Sequence, residues 1–228
     1  MKKIGIIGGL GPESTLYYYQ QITSLIRQKT GEYPEIILYS ANLSISSRLL
    51  EVNDLSGYIA WMSFMTDSLV KAGAEFIAIA SNTPHIILDP LQNTCSVPII
   101  SIVKETAREA QKCGLKKALL LGTKFTMQAK FYPDVFASYG IEVIVPDSDA
   151  IDFIQEKIFS ELEFGTVKDI TRNKFLDIIQ QMKEQHSIDS VILGCTELFL
   201  IMDHECFDLH FLNTTQIHIE SIVNYALK

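Results

Sequence analysis

Phe76-Ile77-Ala78-Ile79-Ala80 runs into Ser81-Asn82-Thr83, and Val191-Ile192-Leu193 runs into Gly194-Cys195-Thr196. Each apolar run is the length of a buried strand, and each ends on a small polar triplet. Ser81 lies 73 residues after Gly8 of Gly8-Gly9-Leu10-Gly11, and Cys195 lies 73 residues after Gly122 of Gly122-Thr123-Lys124-Phe125-Thr126. The two copies are offset by 114 residues, half of the 228-residue chain. That spacing points to a duplication whose halves face each other across a cleft, each offering a polar side chain from the same place. Two such groups suit chemistry on two faces of one carbon.

Working outward, short apolar or β-branched runs at residues 4–7, 35–40, 76–80 and 97–100 read as strands. Helical stretches at 14–29, 55–72 and 86–92 separate them. The second half repeats the order, with strands at 118–121, 142–145, 190–193 and 210–212 and helices at 126–139, 148–159, 168–186 and 215–227. Alternation of this kind implies right-handed βαβ units, so the expected fold is α/β, with two pseudo-symmetric, doubly wound parallel-sheet domains. The first domain spans residues 1–100 and the second 101–212, joined by a charged helix near 101–115. The C-terminal helix, 213–228, has the option of packing back on the first domain. Ligands of such sheets bind beyond the carboxyl ends of the strands, where all four motifs fall.

Composition narrows the chemistry. A hydrophobic content of 47% supports a sizeable core, and a formal charge of −8 disfavours nucleic acid as a partner. No apolar run approaches the ~20 residues of a spanning helix, and Met1-Lys2-Lys3 leads straight into a strand, so a cytoplasmic protein with no membrane partner is expected. Cys95, Cys113, Cys195 and Cys206 show neither CxxC spacing nor paired histidines, which leaves no signature of a metal site or disulfide framework. His186, His204, His210 and His218 are scattered and suggest no shared site.

The glycine motif at 8–11 lacks the spacing of a dinucleotide or P-loop fingerprint. Followed by Pro12 and Glu13, it reads as a tight strand-to-helix turn, in which the backbone around Leu10 and Gly11 could hold a small carboxylate. Cys195 reads either as a structural thiol or as a nucleophile. In the second reading Thr196 and Glu197 begin a helix whose N–H groups lower the thiol pKa. Thr123 and Thr126 are candidates to bind substrate oxygen or to cap a helix.

Taken together, Gly8-Gly9-Leu10-Gly11-Pro12-Glu13-Ser14-Thr15, Ser81-Asn82-Thr83-Pro84-His85, Gly122-Thr123-Lys124-Phe125-Thr126 and Gly194-Cys195-Thr196-Glu197 resemble the aspartate/glutamate racemase family, in its aspartate racemase branch. Residues 212–218 are similar to that family's closing segment. The resemblance spans nearly the whole chain. It implies a cofactor-independent racemase of small dicarboxylic amino acids, a homodimer, and two thiols that exchange the α-proton from opposite sides. Cys195 matches one thiol. Ser81 stands where the family has the other, and a hydroxyl is a far weaker base, so the expected activity is asymmetric. Glu163 stands where a lysine is expected, and Asn213 where an acidic residue is common.

On that resemblance Cys195 and Ser81 are the catalytic pair, and Arg48 holds the distal carboxylate by a bidentate contact. Asn82, Thr83, Thr196 and nearby backbone N–H groups stabilise the enediolate. Glu197 and His85 support the two corners, with His85 or Asn82 able to resupply a proton to Ser81. Two other readings stay open: a one-thiol decarboxylase or cis–trans isomerase of a small dicarboxylate, and a binding protein without catalysis.

Overall fold

The computed structural model describes residues 1–202 and 206–228, the side chain of Pro12 excepted; His204 lies outside the described residues. Two compact units result, Met1–Ile102 with His218–Lys228, and Val103–Ile217. Each is built on one four-stranded sheet whose strands all run parallel.

In the first unit the order along the chain is β1 (Ile4–Gly8), α1 (Pro12–Thr30), β2 (Ile36–Ser40), α2 (Leu43–Glu51), α3 (Leu55–Lys71), β3 (Phe76–Ile79), α4 (Leu88–Thr94) and β4 (Ile99–Ile100). Its sheet order is β2-β1-β3-β4, with Ile4 in register with both Ile36 and Phe76. Side chains alternate across a sheet, so one strand serves two cores. Ile4, Ile6, Phe76 and Ala78 point to the face covered by Tyr18, Ile22 and Ile26 of α1. Ile7, Ile77 and Ile79 point to the opposite face, under Tyr58, Met62, Met65 and Leu69 of α3. Burying both faces explains why these strands read as unbroken apolar runs.

The second unit follows the same plan. After α5 (Ile102–Lys112) come β5 (Lys117–Leu121), α6 (Lys124–Gln128), α7 (Phe131–Ala137), β6 (Glu142–Ile144), α8 (Ser148–Ser160), α9 (Asp169–His186), β7 (Ser190–Leu193) and β8 (His210–Asn213). The order β6-β5-β7-β8 matches that of the first sheet position for position. The last helix, α10 (Thr214–Ala226), begins in this unit. From His218 onward it belongs to the first, where Ile219, Ile222, Val223 and Ala226 join the α1 core.

Two elements differ from the sequence expectation. The single helix expected at 126–139 is two, because Pro133 has no N–H to give and is tolerated only in a first turn, so the chain breaks at Ala129–Lys130 and restarts at Phe131. Helix α2 is additional. Its serines are weak helix formers, yet Asn42 caps it by accepting from the Ser44 N–H at 3.0 Å. Among the described residues no helix is long and apolar enough to cross a membrane.

Candidate active site

In both sheets the chain leaves the first strand on one side and returns on the other, so the topological switch point lies between β1 and β3 in one unit and between β5 and β7 in the other. Crevices for ligands open at the carboxyl ends of strands at such points. Ser81 follows β3 and Cys195 follows β7. Each thus stands at the switch point of its own sheet, beside the glycine motif that ends the neighbouring strand.

At the first switch point, Gly9 turns the chain with φ +77°, and a Cβ there would sit 2.3 Å from the Ala41 carbonyl. Only glycine fits. The Thr15 hydroxyl accepts from the Gly9 N–H at 2.8 Å and donates to the Gly11 carbonyl at 2.9 Å, which fixes Leu10 and Gly11 over the start of α1. Across the strand gap, Ser14 Oγ donates to the Ala80 carbonyl at 3.1 Å. Ser81 is half-buried and Asn82 buried, and Thr83 opens a single 3-10 turn, Thr83–Ile87, that carries His85. Arg48 is exposed on the last turn of α2, the helix that follows the neighbouring β2.

His85 is not positioned as a proton source for Ser81. Its Nδ1 lies 3.1 Å from the Ser81 carbonyl and 3.2 Å from the Asn82 carbonyl, and its Nε2 takes the Ile102 N–H at 3.2 Å. Both ring nitrogens are occupied by backbone. The expected resupply of Ser81 through this imidazole does not fit that geometry.

At the second switch point, Gly122 and Gly194 approach so closely that a Cβ on Gly122 would meet the Gly194 carbonyl oxygen at 3.0 Å, and one on Gly194 would meet the Leu121 carbonyl at 2.9 Å. Thr123 caps α6: its hydroxyl accepts from the Thr126 N–H at 3.3 Å and lies 3.0 Å from the Thr126 hydroxyl. The capping use of this pair is thus realised. Cys195 Sγ–H donates to Glu197 Oε2 at 2.9 Å, and the Thr196 hydroxyl donates to the same oxygen at 2.8 Å. One carboxylate oxygen ties Cys195 and Thr196 together.

The thiol's acidity runs opposite to expectation. No α-helix starts at Thr196; the chain makes only a short 3-10 turn, Leu198–Leu200, and the backbone N–H of Glu197 favours the thiolate less than the other influences oppose it. Burial and the charge of Glu197 then raise the Cys195 pKa well above its ordinary value, with a further push from Glu163. Cys195 rests as a protonated thiol. Burial and Glu197 also raise the carboxyl of Glu163, which sits in the 3-10 turn Leu162–Phe164. Its neighbour Glu161 behaves differently. It accepts from Thr171 at 2.7 Å and from Lys157 and Lys168 at 3.2 Å each, which holds it down at about 2. Glu161 thus pins the turn, and Glu163 is the carboxyl left coupled to the thiol.

The sequence assigns no role to Tyr132, Thr214 or His218, although the last two lie in the closing segment. Tyr132 on α7 is fully buried, hydrogen-bonded to Thr214, and close enough to Cys195 for their charges to interact. Thr214 in turn donates to the Leu193 carbonyl at 2.8 Å, which braces the end of β7. His218, taken as isolated, lies beside His85 with ring centroids 6.3 Å apart. Asn213 has a structural use: its Oδ1 accepts from the Gln216 N–H at 3.1 Å and caps α10. Among the described residues no group of three or more His, Cys, Asp or Glu is arranged to hold a metal ion.

Comparison with known proteins agrees with this architecture. The Asp/Glu/Hydantoin racemase family matches residues 7–222. An aspartate racemase homologue from Pyrococcus horikoshii is 39% identical in sequence and superposes with a TM-score of 0.86 over 100% of both chains. The broad specificity amino-acid racemase RacX of Bacillus subtilis is 27% identical over 98% of each chain. The Picrophilus torridus aspartate racemase, at 23% identity, shares the fold with a TM-score of 0.76 over 99% of this chain and 95% of its own.

Proposed function

The chain belongs to the Asp/Glu/hydantoin racemase family, and from that premise we propose that it is a cofactor-independent racemase of acidic amino acids in which Cys195 and Ser81 exchange the α-proton unequally. The observation that carries this reading is the Cys195 Sγ–H donated to Glu197 at the carboxyl end of β7. A raised thiol is a poor free base but an effective partner in a relay. As the sulfur takes the α-proton, the thiol proton passes to Glu197 Oε2, so charge moves from the carboxylate to the substrate without a free thiolate. Ser81 Oγ then delivers a proton to the other face of the carbanion and is reprotonated from solvent, while Glu197 loses its proton to solvent. The half-buried Glu163 and buried Glu197 suit the substrate's α-ammonium, whose positive charge also eases ionisation of the thiol. Arg48 pairs with the side-chain carboxylate. A homodimer is part of the same proposal and is checked by light scattering.

One observation favours a second reading. Glu163 places a carboxyl where a dicarboxylic substrate would prefer a cation, so neutral amino acids compete on better terms than an aspartate-specific site would allow. Incubating L- and D-aspartate, glutamate and alanine with the protein in deuterated water, followed by NMR and chiral chromatography, tests both. Inversion of aspartate or glutamate with deuterium at Cα supports the first reading, and inversion of alanine at comparable kcat/KM supports the second. Turnover of a dicarboxylate with neither outcome would point to decarboxylation or cis–trans isomerisation, and binding alone to a non-catalytic protein.

A further inference from the structure

The chain leaves the first unit after Ile102 and re-enters it at His218. Both points are tied by buried imidazoles whose protons are fixed by their neighbours. Ile102 N–H can only donate, so His85 Nε2 is bare; the carbonyls of Ser81 and Asn82 can only accept, so His85 Nδ1 carries the hydrogen. Likewise the Ile100 carbonyl, 2.9 Å from His218 Nε2, places the hydrogen on that nitrogen. Its Nδ1 therefore accepts from the Tyr18 hydroxyl at 2.9 Å. The rings of His85 and His218 meet edge-on, 6.3 Å apart at 82°, and Tyr18 meets His218 at 5.6 Å and 72°.

Two lines of hydrogen bonds thus lie side by side, one from Tyr18 on α1 through His218 on α10 to the strand end at Ile100, the other from Ile102 through His85 to the carbonyls of Ser81 and Asn82, and the two rings touch edge-on. We infer that His85 is a positioning residue for Ser81, held by His218 and Tyr18 in a two-histidine clamp that stays neutral and moves no proton. Burial supports the neutrality: His85 is 4% exposed and His218 and Tyr18 0%. Among the described residues Tyr18 and His85 are the titratable groups that face His218, and burial together with His85 lowers the His218 pKa to about 3. An imidazolium at His85 would have to break the bond from the Ile102 N–H, and one at His218 would have to turn the Tyr18 hydroxyl from donor to acceptor.

The inference rests on the racemase reading for its kinetic consequence, but not for its geometry. Nitrogen-15 spectra of the ring nitrogens are expected to show His85 as the Nδ1–H and His218 as the Nε2–H tautomer, neither titrating between about pH 5 and 8, although a free imidazole titrates near 6.5. The side chain of Asn offers an amide where Nδ1 stood, and that of Gln where Nε2 stood. His85→Asn should therefore keep the hold on the Ser81 and Asn82 carbonyls, and His85→Gln should lose it while keeping the Ile102 bond. With the full-length protein and aspartate in deuterated water, His85→Gln is expected to slow inversion about tenfold or more, a size consistent with slight misplacement of a reacting group. Deuterium uptake through Cys195 without inversion should stay within about twofold, and His85→Asn should recover most of the inversion. Equal slowing of inversion and uptake in His85→Gln, or titration of either ring near 6.5, overturns the clamp. If the unaltered protein neither exchanges nor inverts any amino acid, the racemase reading fails, and the ring-nitrogen spectra still decide the clamp.

Discussion

The corner at Ser81 and the corner at Cys195 occupy equivalent positions in two sheets of identical strand order, yet they are held by opposite kinds of group. Neutral donors fasten the first: the Ser14 hydroxyl on the Ala80 carbonyl, and the His85 Nδ1–H on the carbonyls of Ser81 and Asn82. A carboxylate fastens the second, with Glu197 taking hydrogens from both Cys195 and Thr196. The same fold element therefore yields a hydroxyl on a pinned backbone in one unit and a charge-coupled thiol in the other. Pseudo-symmetry of the backbone does not carry over to the thiol's proton affinity, which burial and the carboxylate two residues along raise.

Substitutions at the two corners test that contrast. The largest effect is expected from Cys195→Ala, which should lower kcat by at least about 10³-fold, the scale of losing an acid–base group, while Tm stays nearly unchanged. Glu197→Gln comes next, at about 10²-fold, because the relay loses its acceptor. The same change removes a negative charge beside the sulfur, so the pH midpoint for Cys195 alkylation, followed by mass spectrometry, should fall. A midpoint that rises or stays put would show that Glu197 does not control the thiol.

Ser81→Cys makes the two corners alike in chemistry. It is expected to raise inversion roughly tenfold or more from both enantiomers, since a thiol is far closer than a hydroxyl to the pKa that proton transfer requires. Arg48→Leu should raise KM for dicarboxylic substrates about tenfold, the equivalent of roughly 1.5 kcal/mol for a hydrogen bond to a charged group, and leave alanine unaffected. Equal losses for aspartate and alanine would remove the assignment. The smallest effect concerns stability. Glu161 is held at about 2, below its unfolded value near 4.3, so its contribution is complete above that value and is lost as pH falls between the two. Glu161→Gln should thus lower Tm at pH 7, with the difference shrinking steadily from about pH 4 to pH 2.

The fold was legible because the central strands β1, β3, β5 and β7 are buried on both faces. The runs at 76–79 and 191–193 have no polar interruption, and the 114-residue offset between Ser81 and Cys195 reports the repeated strand order directly. The position of Cys195 and Ser81 at strand ends was legible for the same reason. What was not legible depended on contacts far apart in sequence or on turn geometry. His218 meets Tyr18 across 200 residues, and Tyr132 meets Thr214 only once α7 has packed. The acidity of Cys195 was misread because Thr196-Glu197-Leu198 suggests a helix start, whereas Glu197 folds back to accept the thiol hydrogen and the chain completes only one 3-10 turn. Pro133 shows the converse: the break between α6 and α7 was written in the sequence by a residue that cannot donate.

Unequal proton exchange at the two corners is tested most directly by following Cα deuterium and optical purity together, for each enantiomer of the same amino acid in deuterated water. Because the equilibrium of a racemisation is fixed at unity, the two kcat/KM values for inversion must agree, and only exchange before inversion can reveal the asymmetry. One enantiomer, whose α-hydrogen faces Cys195, is expected to take up deuterium several-fold faster than it inverts, and its mirror image to invert nearly every time it exchanges. Equal uptake-to-inversion ratios from both enantiomers would contradict the assignment of Cys195 as the strong and Ser81 as the weak half of the pair.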